Sequence, residues 1–156
     1  MVRLSDLHQA EADHMLHATE GMHAQNPATW IKPKPLAEST IALISTAGLH
    51  RRSDPPFKAG AIDYRILPGD VDFADVIASH ISSNFDRSGF QRDPNIWLPL
   101  DRLREMAANG EIGGISKWHY TFMGGQNNHE ALADAGEEVG RLLAADEVDV
   151  ALMIPV

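Results

Sequence analysis

Apolar residues in this chain fall into short blocks parted by glycine, proline and charge, and the blocks switch between strand and helix periods. The clearest strand is residues 40–46, a β-branched apolar run of the kind buried on both sheet faces. It leaves through Ala47, Gly48, Leu49 and His50, a small-residue exit common in α/β folds. Residues 64–67 predict a shorter strand closed by Pro68, Gly69 and Asp70. Over 71–83, Phe73, Val76, Ile77 and Ile81 fall at helical spacing and predict a helix. Residues 84–99 read as a loop with charges crowded between Phe85, Phe90, Ile96 and Trp97. A helix starts at Leu100 and stops at Asn109 and Gly110. Residues 112–116 predict a short strand or turn, 119–125 a strand, 130–145 a helix, and 148–156 a final buried parallel strand.

Ahead of these blocks, residues 5–24 predict an amphipathic helix carrying His8, His14, His17 and His23. Pro27, Pro33 and Pro35 then exclude helix and central strand, leaving an extended connector. The order predicts an α/β three-layer sandwich with a mainly parallel sheet over 34–156, preceded by an N-terminal helical arm and connector over 1–33.

With 156 residues and 44% hydrophobic content, the chain can bury one domain-sized core. Its net charge of -9 argues against nucleic acid and anionic membranes as main partners. No stretch approaches a membrane span and the N-terminus lacks a signal-peptide core, so a cytoplasmic location is expected. The count of zero cysteines removes disulfides, thiolate metal sites and a cysteine nucleophile from these residues. Eight histidines leave imidazole and carboxylate chemistry. Neither a G-x-G-x-x-G motif nor a P-loop lysine is present, so no nucleotide site is expected.

Three segments carry candidate chemistry. Ser45 to His50 stands at a strand end, where Thr46 and backbone N–H groups could cradle a carboxylate or simply form a turn. In the loop from His80 to Asn95, His80, Asp86 or Asp93 could hold a proton or substrate amine, and Arg87 could fork onto a carboxylate. The structural alternative has Asp93 and Asn95 organising turns and Arg87 in an ion pair. His119 beside Tyr120 offers an acid or base, or a satisfied core histidine. The wide spacing of His50, His80 and His119 does not support a metal site, and none is expected.

Residues 34–49, Asp54-Pro55-Pro56-Phe57, the loop with Asp86, Asp93 and Asn95, Pro99 to Leu103, Gly110 to Gly113, and the closing strand ending in Pro155-Val156 together resemble the selenoprotein B subunits of glycine, betaine, sarcosine and D-proline reductases. The resemblance spans about residues 34 to 156. It implies a subunit that reductively cleaves a C–N bond of a small amino acid or amine. It also implies a partner subunit that activates the substrate through a carbonyl (pyruvoyl-type) group, a thiol reductant and an oligomeric complex. In that family the Pro-Val strand leads into a selenocysteine or cysteine motif. Selenium suits the task because a selenolate is ionised at neutral pH, where a thiol of pKa about 8.5 mostly is not.

This sequence departs from the pattern in having no cysteine. The expectation is therefore that position 157 is a selenocysteine whose UGA codon was read as stop, leaving the domain incomplete at its C-terminus. The retained wall of the pocket would be Thr46, Arg87, Asp93 and Asn95 for substrate, with His50, His119 and Asp86 as catalytic candidates. Two alternatives stand beside this one: a non-catalytic module for small-carboxylate binding or assembly, and a racemase- or lyase-like α/β enzyme.

Overall fold

The computed structural model describes residues 3–20, 30–81, 87–125 and 130–156. The chain divides into two compact units, Met1–Lys32 and Pro33–Val156. In the first, a 3-10 turn at Leu4–Asp6 precedes helix α1, Gln9–Glu20. The Asp6 carboxylate closes the turn by accepting the Arg3 N–H at 2.9 Å. His8, His14 and His17 are exposed, while His23 and Pro27 lie outside the described residues.

The second unit runs β1 (Thr40–Ser45), β2 (Leu49–Arg51), β3 (Tyr64–Pro68), β4 (Val76–Ala78), α2 (Ser88–Arg92), α3 (Leu100–Ala108), β5 (Gly114–Ile115), β6 (Trp118–Phe122), α4 (Ala133–Ala145) and β7 (Val150–Ile154). Strand β1 is the axis. Along one edge it pairs in parallel with β7, from Ile41↔Val150 to Ser45↔Ile154. Along the other it pairs in parallel first with β5 and then with β6. Strand β3 closes the far side of β6 in antiparallel register, Tyr64↔Phe122 to Pro68↔Trp118. The sheet is thus mainly parallel, and each parallel return is made through a helical segment.

The two-residue period of β1 separates the cores. Ile41 and Leu43 point into a cluster with Leu98, Leu100 and Leu103, which brings α3 against one face. Ile44 joins Tyr120, Phe122 and Val139, with Leu142 and Leu143 packed alongside, which brings α4 against the other. Helices on both faces make the three-layer α/β sandwich that the order of elements predicted. Asp149 pins the register at the start of β7: its carboxylate accepts the Thr40 N–H at 3.0 Å and meets Lys34 Nζ at 2.7 Å.

Between β5 and β6 the second edge of β1 has a gap. Ser116 N–H still reaches the Ile41 carbonyl at 2.8 Å, but the chain then bends away before β6 begins. The Leu43 N–H that faces this gap donates to His119 Nδ1 at 3.0 Å. His119 is fully buried, so its ring takes the place of a strand carbonyl and must be neutral, with its proton on Nε2. Burial, aided by the Arg104 guanidinium, pushes the His119 imidazole down to about 4.

Several expectations need correction. Of the predicted helix 71–83, the described residues 71–81 do not form a helix. Asp72 caps only the single 3-10 turn Phe73–Asp75, and Val76–Ala78 then pairs antiparallel with Leu49–Arg51. Pairing with a free neighbouring strand outweighs a weak helical spacing of β-branched residues. Leu49–Arg51 is accordingly a strand, so the exit read over Ala47 to His50 ends at Gly48. The predicted loop 84–99 contains α2 and a further 3-10 turn, Pro94–Ile96. The last strand is parallel as expected but not buried on both faces: Leu152 and Met153 are 41% and 60% exposed. Among the described residues β7 pairs with β1 alone, so it is a sheet edge.

Replacing His119 by Leu removes the acceptor for a buried N–H and should cost roughly 1–3 kcal/mol in chemical denaturation. The ring's folded pKa of about 4 lies below the ordinary 6.5, so the unfolded chain binds more protons between those values. Stability from this group is complete above pH 6.5, declines as pH falls to about 4, and totals about 3 kcal/mol. The Leu variant should lose that part of the pH dependence.

Candidate functional site

Beyond Ser45 the chain leaves the sheet and crosses the end of β6. Ala47 bridges Met123, and the Gly48 N–H donates to the Phe122 carbonyl at 2.8 Å. Gly48 sits at φ +63°, and a Cβ there would stand 3.2 Å from the His80 backbone nitrogen and from Met123, so glycine is needed both for the turn and for the crossing. Two buried hydroxyls satisfy the backbone here. Ser45 Oγ donates to the Trp97 carbonyl at 2.7 Å, and Thr121 Oγ1 accepts the Leu49 N–H at 2.9 Å.

The carboxyl ends of β1, β6 and β7 meet just beyond this crossing, the position where open α/β sheets gather ligands. Thr46 Oγ1 accepts the Val156 N–H at 2.8 Å and its hydroxyl lies 3.3 Å from the Val156 carbonyl. Gly124 marks the centre: a Cβ on it would fall 2.7 Å from His80 Nε2, from the Thr46 carbonyl and from the Val156 carbonyl. His80 is buried. Burial holds its imidazole below the ordinary range, the Val156 backbone opposes this, and the Arg87 guanidinium adds to the lowering. Arg87 Nη2 also donates to the His80 carbonyl at 2.7 Å. Beside this point an apolar groove of about 450 Å³ runs between the strand ends and α4, lined by Phe122, Met123, Gly136, Gly140, Leu143 and Met153.

His50 is buried on β2 next to the cluster. Its Nδ1 lies 2.7 Å from the Arg51 carbonyl and its Nε2 lies 2.7 Å from Ser79 Oγ. A carbonyl only accepts, so Nδ1 carries a proton, while Nε2 shares the second bond with the serine hydroxyl. Both ring nitrogens are thereby engaged, which fixes the orientation of the imidazole.

The remaining sequence candidates stand elsewhere. Asp93 caps the turn Pro94–Ile96 by accepting the Asn95 N–H at 2.9 Å, and Asn95 Oδ1 accepts the Asp101 N–H at 3.0 Å at the start of α3. The Asn95 backbone and side-chain amides hold the Asp93 carboxyl below the usual range. These are turn-organising bonds. His119 lies inside the sheet, turned to Leu43. Asp86 lies outside the described residues. Among the described residues no group of three or more His, Asp or Glu side chains is placed to hold a metal ion.

The family model described as glycine/sarcosine/betaine reductase selenoprotein B matches residues 20–155. The chain belongs to this family. The D-proline reductase subunit gamma of Acetoanaerobium sticklandii is 32% identical over 130 residues, which cover 81% of this chain and 53% of that protein. The glycine reductase complex component B subunit gamma of Carboxydothermus hydrogenoformans is 26% identical over 82% of this chain and 29% of its own length. The betaine reductase complex component B subunit beta of Peptoclostridium acidaminophilum is 27% identical over 77% of this chain and 28% of its own length. The chain therefore spans about half of the first relative and under a third of the other two. No solved structure matches it.

Within this selenoprotein B family member, the structure brings together Thr46, His50, His80 and Arg87 from the sequence candidates. Sequence reasoning missed Ser79 and the close approach at Gly124. The Gly124-Gly125 pair at a strand exit was the available signal. Gly124→Val should wedge the strand ends apart and cost roughly 1–3 kcal/mol. Thr46→Val should cost about 1 kcal/mol by leaving the Val156 N–H without its acceptor. Denaturant titration of the two variants reads both.

Proposed function

We propose that this chain forms part of a reductase subunit that cleaves a C–N bond of a small amino acid or amine. Family membership supports the reductase complex, and the names of the three relatives support substrates of the glycine, betaine or D-proline type. The observation that carries the reading is the convergence of Thr46, His80, Gly124 and Val156 where three parallel strands end. A buried imidazole held below its ordinary range rests neutral, which suits a general base that takes up a proton at the strand ends and then passes it to a departing amine. Arg87 stands next to it with a guanidinium suited to a substrate carboxylate.

No cysteine is present, so the reducing nucleophile comes from outside these 156 residues. In this reading it is a selenocysteine beyond Val156, and it works in the cytoplasm with a carbonyl-bearing (pyruvoyl-type) partner subunit that activates the substrate. Cleavage of the C–N bond takes two electrons, which the thiol reductant restores. The greater length of the relatives agrees with a nucleophile carried on further polypeptide.

The coding frame after Val156 provides the first test: an in-frame UGA followed by a Sec- or Cys-bearing continuation is expected. The protein expressed through that codon should release amine from substrate in the presence of a dithiol and its partner subunit. His80→Gln should then lower turnover roughly 10²-fold, the scale of a lost general acid–base group. An ordinary stop codon with no such continuation, or ligand binding without any dithiol-dependent turnover, would overturn the reading.

A further inference from the structure

The segment that delivers His80 to the strand ends is held from behind. Ser79 N–H donates to the Gly48 carbonyl at 2.9 Å, and Ser79 Oγ lies 2.7 Å from His50 Nε2. The His50 ring is itself locked by the Arg51 carbonyl at 2.7 Å. Arg51 is locked in turn by Asp54, whose carboxylate accepts from the Arg51 backbone at 3.1 Å, from Nε at 3.3 Å and from Nη2 at 3.0 Å. A continuous set of hydrogen bonds thus runs from an ion pair at the surface end of β2, through the His50 imidazole, to the residue next to His80.

We propose that His50 is a positioning residue: through Ser79 it fixes the His80 side chain against Gly124 and the ends of β1 and β7. Two observations on opposite sides of Ser79 carry this. On one side, His50 is buried with its ring nitrogens committed to Arg51 of β2 and to Ser79 just past β4, so it stands as a fixed anchor. On the other, the space His80 occupies has no slack. Gly48 and Gly124 approach it so closely that a Cβ on either would be 3.2 Å from its backbone nitrogen or 2.7 Å from its Nε2. A small shift of residue 79 must therefore move the imidazole out of register with Thr46 and Val156. His50 and Ser79 need not touch substrate for this task. The inference rests on the strand-end site only for the use to which His80 is put. Its test reads position without turnover, so its failure is separable from failure of the reductase reading.

The test is carbethoxylation of histidines by diethyl pyrocarbonate, followed residue by residue by mass spectrometry on the intact 156-residue chain. In Ser79→Ala, labelling of His80 should rise roughly fivefold, the order expected for one lost hydrogen bond. His119, buried in the sheet, should stay unlabelled. His50→Gln offers a side-chain carbonyl to the Ser79 hydroxyl and should keep most of the protection that Ser79→Ala loses, as should Ser79→Thr. Unchanged labelling of His80 in Ser79→Ala would overturn the proposal. So would a parallel rise at His80 and His119, which would mean that the bond supports only global stability.

Discussion

A single imidazole lets one strand serve three neighbours. β1 must present a continuous edge to β5 and then to β6, yet the chain between those two strands bends away and leaves the Leu43 N–H facing a gap. His119 Nδ1 fills the role of the missing carbonyl. An orphaned N–H at the centre of a sheet costs as much as a good deal of packing, so the alternatives would be a straight β5–β6 connection or a solvated break. Neither would leave Tyr120 and Phe122 turned toward α4 while β3 pairs on the far side. The neutral state of the ring is part of the same constraint, because only an unprotonated Nδ1 accepts.

The functional end of the sheet follows from this arrangement. Because β6 resumes its pairing opposite Ile44 and Ser45, its last residues reach the same level as the end of β1. β7 arrives at that level from the other edge. Three carboxyl ends therefore open on one place, and the antiparallel ribbon β2–β4 folds back to add His80. The ribbon is also where a second histidine works from behind. His50 makes no bond to the strand ends, but its ring holds the serine that precedes His80. Apolar surface continues from this point along Met153 and the small residues of α4, so the cluster sits at the polar head of a largely apolar groove.

Much of this was legible in the order of the residues. The run of β-branched residues in β1, the Asn109-Gly110 stop after α3 and the helical spacing of α4 all act through local chemistry and periodicity, and each element formed where its pattern placed it. The Val76–Ala78 strand was not legible. Its spacing is compatible with a helix, and only the availability of Leu49–Arg51 as a pairing partner settles the matter. The exposure of Leu152 and Met153 was likewise hidden, since an apolar run looks the same at a sheet edge and at its centre. In the site, Thr46 at a strand end was readable from position. Asp93 and Asn95 had two readings, and the caps they make decide for turn organisation.

By itself, the sequence determined the α/β class, the parallel bias of the sheet, the family and the want of a cysteine nucleophile within these residues, because each depends on composition, period or ordered motifs. Tertiary structure alone decided which histidines do what. His50, His80 and His119 are identical as letters and all are buried. One anchors a serine, one stands at the meeting of three strand ends, and one replaces a backbone carbonyl inside the sheet. The physical reason is that an imidazole's role is set by which groups face its two nitrogens, and those groups come from chain segments up to 76 residues away.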